Sequence, residues 1–112
     1  MAVKISEWQG SYVMNHDGWI GTLIIEDSKK GDCISPPWCN LVLKYIDIKG
    51  ITYKGEINLM DQGFQHMQFY IKFPDNKQMF DAYLFSWDKS KLAGITYWHG
   101  RTFGFYASKI RF

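Results

Sequence analysis

The feature that most constrains this chain is an alternation of apolar and polar side chains with period two, broken at short intervals by turn-forming residues. No long stretch repeats at helical spacing, and side chains alternating every second residue line the two faces of a strand. The alternating runs are 8–14, 18–26, 38–48, 51–57, 65–73, 78–86, 91–98 and 102–110. Between them stand Asn15-His16-Asp17-Gly18, Lys49-Gly50, Pro74-Asp75-Asn76-Lys77, Asp88-Lys89-Ser90 and His99-Gly100-Arg101. These residue types reach positive φ or bond their own backbone, so they read as successive hairpins. Two connections are longer: 27–37, which holds Pro36-Pro37, and 58–64. The pattern predicts a single all-β domain over 1–112, an eight-stranded antiparallel up-and-down β-barrel. Closure of the sheet would remove both exposed edges. A β-sandwich is the alternative, but it needs Greek-key crossovers, and only 27–37 is comfortably long enough.

Composition supports strands and excludes several functions. Aromatic residues make up 18% of the chain, and they favour pleated, half-buried surfaces. The formal charge of +2 is spread along the chain without a basic stripe, so nucleic acid is not an expected partner. The segment "TFGFYASK" places aromatics beside Lys109, near Arg101 and Arg111, too few cations for a single-strand-binding groove. No run of about 18 apolar residues is present, so no membrane span is expected. The start "MAVKISEWQG" carries no apolar secretory stretch, and Cys33 and Cys39 read as reduced thiols, which together predict a cytoplasmic protein. A nucleophile elbow, a phosphate loop and paired metal-ligand spacings are all missing, so no cofactor or metal is expected.

The opening "EWQGSY", a tryptophan and a glycine ahead of meandering hairpins, resembles the small calycin barrels: avidin-like proteins, lipocalins and fatty-acid-binding proteins. Lipocalins carry Gly-x-Trp here, where this chain has Gly10-Ser11-Tyr12. Avidin-like proteins place an aromatic and then an asparagine in the first turn, which Tyr12 and Asn15 match loosely. The resemblance implies a barrel that holds a ligand.

In an up-and-down barrel alternate turns share one end. This places His16, Asp17, Asp75, His99 and Arg101 around one rim, and sets His66 at the other end with Cys33, Trp38, Cys39 and Asp61. The three histidines are therefore not expected to gather around a metal. Alternation predicts an inner face of Trp8, Tyr12, Met14, Trp19, Leu23, Ile25, Leu41, Leu43, Tyr45, Ile51, Tyr53, Ile57, Met67, Phe69, Ile71 and Phe73. An eight-stranded barrel is just wide enough to be filled by such side chains or to hold one small ligand. Asp81 lies between Phe80 and Ala82, where a carboxylate needs a partner strand's hydrogen bond or serves as a polar anchor for a ligand.

The expected function is to bind a small apolar or aromatic molecule at one mouth. Tyr12, Asn15, His16, Asp17, Trp19, Tyr53, Asp81, Tyr83, Trp98 and His99 are the candidate ligand-binding residues. One alternative is a cyclase- or isomerase-type barrel enzyme using Asp81 or His99 for proton transfer. Another is a carbohydrate- or protein-binding module that uses exposed Trp and Tyr. Segments 78–86, 91–98 and 102–110 are apolar on both faces, which calls for a cover on each side. That predicts a homo-oligomer built on strands 78–110.

Overall fold

The computed structural model describes residues 3–28 and 36–110. Eight strands form one closed antiparallel barrel in which each strand pairs with its neighbours in sequence and the last returns to the first. They are β1 Gly10–His16, β2 Trp19–Asp27, β3 Leu41–Asp47, β4 Thr52–Asp61, β5 His66–Lys72, β6 Lys77–Leu84, β7 Lys91–Trp98 and β8 Arg101–Lys109. The architecture is the one the alternation predicts, and two local features differ from it. Residues Ile5–Trp8 form a short 3-10 helix, so Trp8 precedes the first strand. β4 runs on to Asp61 through a register shift between Ile57 and Leu59. Such a bulge adds one residue to one strand, and it puts Met60, not Leu59, into the core.

The turns explain the tight connections. In β1–β2, Asp17 and Gly18 both have positive φ, at 53° and 90°. His99 and Gly100 repeat this in β7–β8, at 51° and 77°. Positive φ at both central residues is the type I′ geometry, whose twist matches that of the flanking strands. Asn15 fixes the first of these turns by accepting the Gly18 N–H on its Oδ1 at 2.9 Å. In β3–β4, Asp47 Oδ1 accepts the N–H groups of Lys49 and Ile51 at 2.9 and 3.0 Å. These hairpins, with β5–β6, form one rim.

The core occupies the middle and the opposite end of the barrel. Phe69 stacks on Phe80 at 5.0 Å, and Phe105 meets Phe80 edge-on at 5.1 Å. Below them Trp8 seals the base: it is fully buried, and its indole N–H donates to the Phe64 carbonyl at 2.7 Å. The Tyr12 hydroxyl donates back to the Trp8 carbonyl at 2.7 Å, and Lys109 Nζ donates to the Glu7 carbonyl at 2.6 Å. The C-terminal carbonyls of the 3-10 turn thus find donors inside the barrel. Trp19 and Ile51, expected on the inner face, stand exposed at the rim because their strands have reached the solvent there.

The inward positions of the last three strands are Gln78, Phe80, Ala82 and Leu84, then Leu92, Gly94, Thr96 and Trp98, then Phe103, Phe105 and Ala107. The outward face of the same strands leaves Tyr83, Ile95 and Tyr106 exposed, with Phe85 just beyond β6. Cys39 is disulfide-bonded, which corrects the expectation of reduced thiols; Cys33 lies outside the described residues. No helix among the described residues is long and apolar enough to cross a membrane.

Candidate functional site

The hairpin rim opens into a cavity of about 470 Å³. Its position follows from how the strands are filled. The three-phenylalanine layer closes the barrel across its middle, and the inward residues above it enclose a space open at the rim. Tyr45, Tyr53 and Phe73 form one aromatic wall, with Tyr53 and Phe73 rings 4.9 Å apart and Tyr45 6.0 Å from Phe73. Trp98 joins this wall edge-on to Phe73 at 6.3 Å, while Phe103 and Trp19 line the remainder with Ile20, Ile48 and Ile51. Trp98 and Trp19 reach the mouth because each directly adjoins a type I′ turn at an inward-facing position. Gly21 makes room for Tyr45. A Cβ at Gly21 would lie 2.3 Å from the Tyr45 hydroxyl, so only glycine lets that ring lie across β2.

Polar groups are few and confined to two levels. At the floor, His16 Nε2 is hydrogen-bonded to the Tyr45 hydroxyl at 3.0 Å, and the His16 ring packs edge-on against Phe80 at 5.8 Å. Gln78 and Thr96 share this level: the Gln78 amide N–H donates to Thr96 Oγ1 at 2.8 Å, and the Thr96 hydroxyl donates to the Met79 carbonyl at 2.8 Å. At the rim stand Asp17, Asp47 and Lys49. Asp47 Oδ2 accepts the Tyr53 hydroxyl at 3.1 Å. Backbone donation from Ile51 leads the effects that hold the Asp47 carboxyl below the usual range, against partial desolvation.

Burial dominates the floor. It lowers the His16 pKa, with the nearby Asp17 charge opposing, so the imidazole is neutral at pH 7. Burial, aided by Asp47 and Tyr53, pushes the Tyr45 hydroxyl up to about 12. The His16 shift has a stability consequence. Below the unfolded-chain value of about 6.5, an unfolded His16 takes up a proton that the folded one refuses. Stability is therefore fully present above that value and lost as the pH falls toward the lower folded pKa. The urea midpoint is expected to drop between pH 7 and 5, and His16→Gln to flatten that drop. Parallel declines in wild type and variant would exclude the assignment.

Of the ten candidate residues, the structure brings His16, Asp17, Trp19, Tyr53 and Trp98 together around this cavity. His99 sits at the turn tip beside them, its ring 4.7 Å from Trp98. Asn15 faces outward and holds the turn, while Tyr12 is buried at the base. Asp81 and Tyr83 lie on the outer face, away from the lumen. Asp81 accepts hydrogen bonds from Tyr97 at 2.8 Å and Gln68 at 3.1 Å, and its Oδ1 is 2.8 Å from His66 Nε2. Burial pushes its carboxyl up, but the bonds from Tyr97, His66 and Gln68 outweigh that and lower it. His66 also meets Asp61 Oδ1 at 2.6 Å through Nδ1 and packs on Tyr83 at 4.8 Å. The two carboxylates face opposite ring nitrogens, an arrangement that clasps β4, β5 and β6 together.

Sequence reasoning missed Gln78 and Thr96 as site residues. The signal was present, because each is the polar member of an otherwise apolar parity: Gln78 with Phe80, Ala82 and Leu84, and Thr96 with Leu92 and Trp98. Tyr45 and Phe73 were expected inside but not at the site. No family model matches this chain, and no curated protein matches it.

Proposed function

We propose that this protein is a small-molecule-binding β-barrel that holds an apolar or aromatic ligand in the mouth cavity. The observation that carries the reading is the cavity itself: about 470 Å³, walled by aromatic side chains, with its polar groups confined to the floor and the rim. Ligand sites typically occupy about 300–1,000 Å³ with this same division of apolar walls and sparse polar anchors. Tyr and Trp suit such walls, since each offers a broad apolar face and one polar tip.

The same proposal includes a second copy of the chain as partner, seated on the outer face of β6–β8. Tyr83, Ile95 and Tyr106 are exposed there, and between the strand ends the only charge among the described residues is Asp81, already held by three side chains. A two-fold contact on this face would bring no unpaired like charges together. Free thiols were one of the two grounds for the expected cytoplasmic location. With Cys39 in a disulfide, an oxidising compartment fits this reading better.

Native mass spectrometry of gently purified protein tests both parts. A dimer or higher assembly carrying a reproducible extra small mass is the expected spectrum. A bare protein that also fails to take up neutral aromatic probes in solution would sink the ligand reading. A monomer at micromolar concentration would remove the second-copy partner and leave the cavity reading standing.

A further inference from the structure

The cavity floor holds hydrogen-bonding capacity that the protein itself leaves unused. Gln78 is only 7% exposed. Its amide orientation is dictated by Thr96, whose hydroxyl proton is committed to the Met79 carbonyl, so Thr96 Oγ1 can only accept and the Gln78 amide must turn its N–H toward it. The Gln78 amide oxygen then has no partner among the described residues, and the side chain lines the cavity. Among the described residues the one fully buried side-chain polar atom without a partner is Ser28 Oγ, so the Gln78 oxygen is reachable from the cavity and open to an N–H from a ligand.

The His16–Tyr45 pair adds a second unused group. A neutral imidazole and a phenol carry one N–H and one O–H between them, and their single mutual bond uses one of these two protons. Whichever tautomer His16 adopts, one donor of the pair remains free. His16 and Gln78 both border Phe80: the His16 ring packs against it, and Gln78 is the preceding inward-facing residue of β6. The floor therefore presents one fixed acceptor and one spare donor. No cation among the described residues stands with them, because Lys49 is at the rim in company with Asp17 and Asp47.

Resting on the ligand-barrel reading, we propose that the cavity selects a neutral aromatic molecule bearing an amide-like group, inserted polar end first. Its N–H donates to Gln78 Oε1, and its carbonyl accepts the spare proton of the His16–Tyr45 pair. Its ring system lies against Tyr53, Phe73 and Trp98. A carboxylate of the same shape is rejected, since it would bury its charge opposite an acceptor oxygen with no compensating cation.

Calorimetric titration with three probes of nearly equal shape tests this: 2-naphthamide, 2-acetylnaphthalene and 2-naphthoate. The amide is expected to bind about tenfold tighter than the ketone, which lacks the N–H donor, and tighter still than the carboxylate. Gln78→Leu is expected to abolish the preference for amide over ketone. Thr96→Val, which keeps the side-chain shape but frees the Gln78 amide to rotate, is expected to reduce the same preference and serves if the leucine variant does not fold. Equal binding of all three probes, tightest binding of the naphthoate, or a preference that survives in the folded variants would each overturn the inference and leave a ligand barrel of other selectivity. Failure of all three probes to bind would overturn the ligand-barrel reading together with it.

Discussion

Gly94→Ala is expected to cost the barrel about 3 kcal/mol or more, at the top of the range for overpacked sites. The cause is backbone against backbone. A Cβ at Gly94 would lie 1.8 Å from the Asp81 carbonyl oxygen and 2.9 Å from the carbon that bears it, with Ala82 Cα at 3.2 Å. None of these atoms can swing away as a side-chain tip would. Relief requires β7 to move off β6, and Ala82 pairs with Gly94 in the middle of that ladder. In a closed barrel such a movement cannot dissipate at a free edge, because both strands are held by a second neighbour. Total stabilities of about 5–15 kcal/mol leave little to absorb the change. Gly104 supplies the comparison, since a Cβ there meets nothing within 4 Å. Gly104→Ala should leave the urea midpoint unchanged or slightly raised, strands disfavouring glycine. A Gly94→Ala protein within about 1 kcal/mol of wild type would show that the barrel gives more easily than this ladder implies.

The second large effect is expected at the base of the barrel. Trp8→Ala should lower stability by about 3–5 kcal/mol, the usual cost of emptying a large aromatic site. Trp8 is fully buried, and its loss also strips the Phe64 carbonyl of its indole donor. The effect should spread beyond the cavity it leaves. Tyr12 and Lys109 both donate to carbonyls of the same short 3-10 turn, so a collapsing turn would strand two inward-facing polar groups. Trp87→Ala is the control, because Trp87 is 89% exposed and exposed changes away from special contacts usually stay within about 0.5 kcal/mol. Comparable midpoints for the two variants in urea unfolding would mean that the base is not sealed by Trp8.

The two comparisons separate what local pattern can reveal from what packing alone determines. Gly94 and Gly104 sit in similar strand sequences, "LAGITYW" and "TFGFYAS", and nothing in either says which one a neighbouring backbone crowds. Trp8 reads as the start of a strand because its apolar parity continues into Tyr12 and Met14, yet it ends a 3-10 turn that plugs the barrel. The candidate site divides the same way. His16, Asp17, Trp19 and Trp98 were readable because type I′ turns mark one rim and period two carries aromatics up to it. Asp81 could not be placed from sequence, since β6 is apolar on both faces and alternation assigns residues to a face without saying which face is inside.

The sequence by itself determined strand number, order and the shared rim, because period-two patterning and turn chemistry are local and each short hairpin leaves little choice of partner. Tertiary structure alone decided where the interior is full and where it is open. That depends on three phenylalanines from β5, β6 and β8 meeting across the barrel, on Gly21 admitting Tyr45, and on Thr96 turning the Gln78 amide. These are contacts between residues far apart in the chain, and their outcome rests on volumes and hydrogen-bond directions that no local pattern encodes.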